Sequence, residues 1–125
     1  LAASLGVTAR AGAQAPAAPA SMGCRIEPGS GRLLCTVSFV AETGREVSWS
    51  DALVVAAPSA ARALRSRVTS TSERPDQVLL AFVLGSGEGG RIDVLARAVT
   101  CPVAARAGAC TPSTARVSYD FRPGS

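Results

Sequence analysis

Four cysteines are the residues of this chain whose type and spacing are suited to chemistry. They fall into two short-range pairs, Cys24 with Cys35 and Cys101 with Cys110. Such pairs form local disulfides, and an exposed pair also exchanges with the thiols of other proteins. The Cys-x2-Cys spacing of zinc knuckles is absent from the sequence. The cysteines therefore predict two disulfides and no metal site.

The sequence lacks most of the residues that usually carry out side-chain catalysis. The chain contains no His, no Lys and no Asn. Without His there is no Ser-His or Cys-His nucleophile pair, and without Lys there is no Ser-Lys dyad or Schiff base. A glycosidase-like pair could be drawn from the nine carboxylates, but most of them lie beside turn signals or on polar strand faces, which favours solvated surface charge. We expect no catalytic residue and no cofactor, with disulfide exchange as the one catalytic alternative.

The net charge of +4 indicates little about a partner. All 13 cationic residues are Arg, and with 24 Ala this composition is typical of a GC-rich bacterial genome. A nucleic-acid interface needs clustered cations interleaved with aromatic side chains. Only Arg62, Arg65 and Arg67 cluster, and no aromatic residue is near them. We expect no nucleic-acid partner, while an unidentified protein partner stays open.

The N-terminal segment differs in composition from the rest of the chain. Residues 1–7 are apolar, residues 11–13 match a small-x-small cleavage signal, and residues 14–21 are rich in Ala and Pro. We interpret residues 1–21 as the remnant of a secretory signal peptide and a linker, with an interdomain linker or an acylated Cys24 as alternatives. No segment approaches the ~20 apolar residues of a membrane span. Residues 22–125 are predicted to form one domain, secreted or periplasmic, in an oxidising compartment.

Residues 24–27 and 32–41 both have the pattern of a strand. They flank Pro-Gly-Ser-Gly at residues 28–31, a sequence that is typical of a turn. If these four residues form the loop, Glu27 pairs with Arg32 and Cys24 lies directly opposite Cys35. That register places the cysteines at a non-hydrogen-bonded position, where side chains approach most closely. Alternate residues of the second strand are expected to face the core: Leu33, Cys35, Val37, Phe39 and Ala41.

The rest of the chain also reads mainly as strands. Residues 78–84 are almost continuously apolar, and residues 91–100 and 114–122 alternate with period two. Residues 58–68 are the one helix candidate, because Pro58 suits a first turn and the apolar residues after it have helical spacing. The segment after Gly44 is expected to place five side chains on one face: Val47, Trp49, Asp51, Leu53 and Val55. We predict an all-β fold, an immunoglobulin-like antiparallel β-sandwich with six to seven strands and at most one short helix.

A glycine motif offers a competing interpretation. Residues 85–90, Gly-Ser-Gly-Glu-Gly-Gly, match G-x-G-x-x-G directly after an apolar strand, which is the context of a dinucleotide-binding fingerprint. However, no acidic residue follows at about 20 positions, and only 35 residues remain after Gly90 for the rest of a doubly wound sheet. We therefore predict a Gly-rich hairpin turn, followed by a strand over residues 91–100.

The second cysteine pair carries a resemblance to a known family. Cys101-Pro102 ends one predicted strand, and Cys110-Thr111-Pro112 precedes the last. In this pattern residues 77–121 resemble the N-terminal periplasmic immunoglobulin-like domain of thiol:disulfide interchange transmembrane reductases. The resemblance implies that Cys101 and Cys110 form a redox pair in which the Cys110 sulfur is the one attacked. The structural alternative is that each disulfide closes a loop of about ten residues and stabilises the domain by roughly 3 kcal/mol.

The leading prediction is a non-catalytic secreted or periplasmic β-sandwich that acts as a binding or accessory module. The alternative is a thiol:disulfide exchange module that uses Cys101 and Cys110. A secreted inhibitor or effector that presents residues 103–109 is a third possibility. The reduction potential of each disulfide would discriminate among them, because structural bridges are the harder ones to reduce.

Overall fold

The computed structural model describes residues 19–103 and 108–123, so most of the predicted signal-peptide and linker segment lies outside the described residues. Two four-stranded antiparallel sheets make up the described part of the chain. Sheet I has the order β1-β2-β6-β4, and sheet II has the order β5-β3-β7-β8. The eight strands are β1 (Ala20–Ile26), β2 (Leu33–Phe39), β3 (Arg45–Ala56), β4 (Ala61–Ala63), β5 (Arg67–Thr69), β6 (Gln77–Leu84), β7 (Gly90–Pro102) and β8 (Thr111–Phe121).

This architecture confirms the predicted antiparallel β-sandwich, while its immunoglobulin-like type stays a prediction. The sheets pack on one apolar core, to which alternate residues of each long strand contribute. Phe82 of β6 is the largest fully buried side chain. Other core residues are Leu33, Cys35, Val37 and Phe39 of β2, Leu80 of β6, and Ile92, Val94, Ala96 and Ala98 of β7. Burial of these apolar surfaces is what holds the two sheets together.

The β1–β2 hairpin has the predicted register. Cys24 pairs with Cys35, and Arg25 pairs with Leu34. The Glu27 backbone N–H donates to the Arg32 carbonyl at 2.8 Å, which closes the loop over residues 28–31. Gly31 has a φ of 71°, a left-handed conformation that glycine adopts without steric cost. The turn residues and the strand alternation therefore determine this register locally.

The helix candidate over residues 58–68 does not form a helix. The chain instead forms two three-residue strands there, because open strand edges are available on both sheets. Ala61 of β4 pairs with Leu84 of β6 in sheet I, and Val68 of β5 pairs with Ala52 of β3 in sheet II. The described residues thus contain eight strands, not six or seven. Tertiary pairing has overridden a weak helical pattern built mostly from alanine.

The glycine-rich segment does not form the predicted hairpin turn. It joins β6 of sheet I to β7 of sheet II, so the chain crosses from one sheet to the other at this point. A strand and not a helix follows it, which confirms the strand predicted for residues 91–100 and excludes the context of a dinucleotide fingerprint. Gly87 has a φ of 148°, and a Cβ there would lie 2.7 Å from Ser59 Oγ. The backbone at Gly87 lies so close to Ser59, in the segment before β4, that only a residue without a side chain fits there.

Candidate functional site

A bulge in β3 determines which side chains reach the outer face of sheet II. The pairing of β3 with β7 shifts between Val47 and Trp49, so Ser48 is the extra residue. Val47 lies in the core, whereas Trp49, Asp51 and Leu53 point away from it. The prediction that Val47 shares a face with those three residues is therefore wrong, because an inserted residue reverses the alternation that follows it.

Asp51 is buried on this outer face by two arginines. It stands opposite Arg97 of β7 and next to β5. Arg97 donates from Nε to Oδ1 at 2.9 Å and from Nη2 to Oδ2 at 2.5 Å, and Arg67 donates from Nη1 to Oδ2 at 3.0 Å. Only 2% of the Asp51 surface is exposed, while each arginine is about half exposed. The two guanidinium groups form a lid over the carboxylate.

The pKa of Asp51 is set by two opposing effects. Burial removes water from the carboxylate and by itself raises its pKa. Hydrogen bonds and opposite charge from Arg97 and Arg67 outweigh burial and hold the pKa of Asp51 below its usual range. The same ion pair raises the pKa of Arg97. Asp51 is therefore ionised at neutral pH, and its two hydrogen bonds orient the Arg97 guanidinium.

Arg97 in turn lies against the only tryptophan of the chain. Its Cζ atom is 5.5 Å from the centre of the Trp49 ring, within the range of a cation–π interaction. Trp49 stands opposite Val99 of β7, and Val99 stands opposite Pro112 of β8. Three strands thus contribute one apolar row to the outer face, with the Trp49 ring 36% exposed at the β3 end.

The Cys101–Cys110 disulfide lies on the same face, two residues beyond Val99. The β7–β8 register continues to Thr100 opposite Thr111, so Cys101 and Cys110 face each other with a Cα–Cα distance of 4.2 Å. Cys110 is exposed and Cys101 is half-buried. Ser48, at the bulge, places its Oγ 3.4 Å from Cys101 Sγ. Glu46 of β3 pairs with Cys101 from the other side.

The Arg45 side chain lies on the inner side of sheet II and hydrogen-bonds to both strands of the β7–β8 hairpin next to this disulfide. Its Nε donates to Thr100 Oγ1 at 3.2 Å, and its Nη2 donates to the Thr100 carbonyl at 2.7 Å. Nη2 also lies within hydrogen-bonding distance of Thr111 Oγ1, at 3.1 Å, and of the Ala109 carbonyl, at 3.4 Å. One guanidinium group therefore joins β3, β7 and the start of β8, so the hairpin is held non-covalently as well as by the disulfide.

The Cys24–Cys35 disulfide has a different setting. Both cysteines point into the sandwich, with a Cα–Cα distance of 4.0 Å, and Cys35 is completely buried. The four predicted disulfide cysteines are thus paired as expected, but one bridge belongs to the core and the other to an exposed face. A thiol of another protein could therefore reach the Cys101–Cys110 disulfide but not the Cys24–Cys35 disulfide.

Within residues 19–103 and 108–123, no group of three or more His, Cys, Asp or Glu side chains could hold a metal ion. Over the same ranges, no helix is long and apolar enough to cross a membrane.

Comparisons of the chain with protein-family models, with curated proteins and with solved structures find no match in any of the three. The cluster of Trp49, Asp51 and Arg97 is the part of the site that sequence reasoning missed. The available signal was an aspartate directly before the apolar run of residues 52–57. Its partner Arg97 lies 46 positions away, however, and the bulge that aims Asp51 outward has no sequence signature here.

Proposed function

We propose that the chain is a non-catalytic β-sandwich module, secreted or periplasmic, that binds a partner protein through the outer face of sheet II. The observation that carries this proposal is the Trp49 ring held beside Arg97, which the buried Asp51 fixes in place. Trp and Arg are the residues that contribute most to binding energy at protein interfaces. A surface that is already ordered loses less conformational entropy on binding.

The two disulfides support the proposed compartment. Both are formed, and the part of the chain that the structure describes contains no free cysteine. Disulfides persist in secreted and periplasmic proteins and are rare in reducing compartments. Two disulfide bonds in one small domain would be unusual in a reducing cytosol. Secretion of the full-length protein by the cells that encode it, followed by mass mapping without reduction, tests this part of the proposal.

Site-specific photo-crosslinking tests the binding role. A photoreactive amino acid replaces Trp49 in one protein and Val40, an exposed loop residue outside both outer faces, in the control. In the extracytoplasmic fraction of the native cells we expect a discrete adduct from position 49 and none from position 40. An excess of unlabelled wild-type protein should compete for this adduct, while an Arg97→Ala competitor should be at least tenfold less effective. Equal labelling from the two positions would contradict a binding role for sheet II.

Thiol:disulfide exchange is the second candidate function, and the exposure of Cys110 favours it. In this step a partner thiolate attacks Cys110 Sγ, a mixed disulfide forms, and Cys101 leaves as a thiolate. A second partner thiol then resolves the mixed disulfide, so the domain ends reduced and the partner dithiol ends oxidised. The nearby Glu46 carboxylate opposes this step, because a negative charge beside Cys101 disfavours its thiolate. That electrostatic cost is why we place exchange second.

Redox equilibration separates the two candidates. The domain is equilibrated with thioredoxin-like reductants of known potential, thiols are trapped by alkylation, and each pair is quantified by mass spectrometry. A Cys101–Cys110 potential well above about −300 mV supports exchange, whereas a lower value is typical of a structural bridge. The Glu46→Gln variant should raise the potential of this pair and leave Cys24–Cys35 unchanged. We expect the structural outcome for the wild-type protein.

A further inference from the structure

We infer that the outer face of sheet I is a second interaction surface, which binds an acidic protein segment with carboxylates arranged around aliphatic side chains. This surface lies on the opposite side of the sandwich from Trp49 and does not depend on the function proposed above. Its accessible aliphatic residues are Leu79, Ala81 and Val83, beside Leu34, which is only 8% exposed, and its cationic residues are Arg25, Arg32 and Arg62.

An aliphatic patch forms the centre of this face. Leu34 of β2 pairs with Ala81 of β6, and Thr36 pairs with Leu79. Because Cys35, Leu80 and their alternate neighbours point into the core, these residues point outward. Leu79 is 53% exposed, and Leu64, whose backbone N–H donates to the Ala81 carbonyl, is 44% exposed. Exposed apolar patches with a polar rim mark interaction sites.

Three arginines surround the patch without carboxylate partners. Arg25 stands beside Leu34 in the β1–β2 pairing, and Arg62 stands beside Val83 in the β4–β6 pairing. Arg32 precedes β2 and has the outward parity of Leu34. Among the described residues, none of these three forms an ion pair, whereas Arg67, Arg91 and Arg97 on sheet II pair with Asp51 or Asp93. These three arginines outnumber Glu27, the carboxylate opposite Arg32, so the face keeps a net positive charge.

Two carboxylates lie near this face, and only Asp76 is paired with a cation. Glu27 accepts a hydrogen bond from the Ser30 hydroxyl at 2.6 Å, and Asp76 pairs with Arg74. A cavity of about 380 Å³ lies beside the patch, and its lining includes Arg25, Leu79 and Arg74. The face thus combines a recess, an aliphatic floor and free guanidinium groups, whose fork geometry matches carboxylates.

The chemistry of the face favours a protein over other anionic partners. Among the residues described, no aromatic side chain points outward from sheet I, since Phe39 and Phe82 face the core. Surfaces for single-stranded nucleic acid rely on aromatic stacking, and membrane interfaces are enriched in Trp and Tyr anchors. A second copy docked by two-fold symmetry would bring two faces of the same net positive charge together. An acidic segment with aliphatic side chains matches both components of the face.

A binding assay with a defined probe tests this inference. The probe is a fluorescent twelve-residue peptide of alternating Glu and Leu, with a Lys-Leu peptide as its charge control. We expect the Glu peptide to bind the full chain and the triple variant Arg25→Gln/Arg32→Gln/Arg62→Gln to bind it at least tenfold more weakly. The matched control is Arg91→Gln/Arg116→Gln/Arg122→Gln, which loses the same charge on the sheet II side and should change the affinity less than twofold. Equal weakening in the two triple variants overturns the inference.

Two further measurements complete the test. Leu79→Thr should weaken binding several-fold, while Val40→Thr, an exposed valine outside the face, should not. Matching thermal unfolding of all variants establishes that they fold. Phosphatidylserine vesicles and a single-stranded oligonucleotide are tested in parallel. If either binds as tightly as the Glu peptide and loses binding in the same triple variant, the protein-partner assignment is wrong. The Trp49 crosslinking result is independent, so the two proposals fail separately.

Discussion

Asp51 is a carboxylate placed where water cannot reach it, and such a group is costly unless it is paired. Arg97 and Arg67 supply three hydrogen bonds to its two oxygens, and Arg97 also lies against Trp49. The residue therefore acts through its neighbours, because it determines where an exposed guanidinium and an exposed indole are held. Its role in the proposed binding surface is positioning.

We predict that Asp51→Asn destabilises the domain by about 1 to 2 kcal/mol at pH 7. Breaking a buried pair costs more than this, but the half-exposed arginines regain water, which reduces the loss. Because the folded-state pKa of Asp51 is depressed, its contribution is complete above the unfolded-state value near 4 and is lost as the pH falls through the folded-state pKa. Urea unfolding of both proteins should therefore show a constant difference from pH 5 to pH 7 that shrinks below pH 4. A difference that persists unchanged at low pH would contradict this assignment.

At the scale of elements, the two disulfides close loops of similar length in different environments. The sequence separations are 11 and 9 residues, so loop-closure entropy alone predicts similar stabilisation, about 3 kcal/mol each. Burial distinguishes them, because Cys35 is fully enclosed and Cys110 is exposed.

We predict that a water-soluble phosphine reduces Cys101–Cys110 in the native state, whereas Cys24–Cys35 is reduced only on unfolding. Alkylation followed by peptide mapping measures both rates. Cys24→Ser/Cys35→Ser should also destabilise the domain more than Cys101→Ser/Cys110→Ser, by about 1 to 3 kcal/mol, because it places a hydroxyl in the core. Equal reduction rates for the two bridges would argue against this difference in accessibility.

The crossing from β6 to β7 depends on close approach at Gly87. We predict that Gly87→Ala costs about 1 to 3 kcal/mol, because its φ of 148° is unfavourable for alanine and the new Cβ meets Ser59 and the Ala60 backbone. Gly85→Ala in the same segment is the control, since a Cβ there meets nothing within 4 Å. Thermal unfolding compares the two, and an equal loss in both would show that the contact with Ser59 is unimportant.

At the scale of the whole molecule, one core joins the two sheets, and neither sheet has a separate one. Phe82 of sheet I is completely buried in the same cluster as Ile92 and Val94 of sheet II. Each sheet therefore covers the apolar face of the other, and we expect the domain to unfold in a single transition.

We predict that Phe82→Ala lowers the free energy of unfolding by about 3 to 5 kcal/mol through lost burial and an unfilled cavity. Fluorescence of Trp49 reports sheet II, and far-ultraviolet circular dichroism reports all strands. The two probes should give coincident denaturation midpoints in both proteins, with the variant midpoint shifted downward. Separate midpoints would indicate that the sheets unfold independently. Phe121→Leu, at the end of β8, is the conservative control and should cost less than half as much.

The sequence by itself determined the features that depend on neighbours in the chain. Turn residues 28–31 and period-two alternation were sufficient for the β1–β2 register, the Cys24–Cys35 pair, the inward face of β2 and the assignment of β7 and β8 as strands. In a hairpin, the position of the turn determines which residues of the two strands lie opposite each other. The spacing of the two cysteines and the period-two alternation then determine whether they face each other.

Only the tertiary structure decided which strands meet. Residues 58–68 have a weak helical period, yet they become β4 and β5 because β6 and β3 offer open edges. The bulge at Ser48 turns Trp49 and Asp51 outward, and the pairing of β3 with β7 then brings Arg97 to them from 46 positions away. Strand partners are chosen by packing between distant segments, and a single inserted residue reverses every side chain beyond it. Local periodicity contains neither piece of information, so the proposed binding face became visible only in the folded domain.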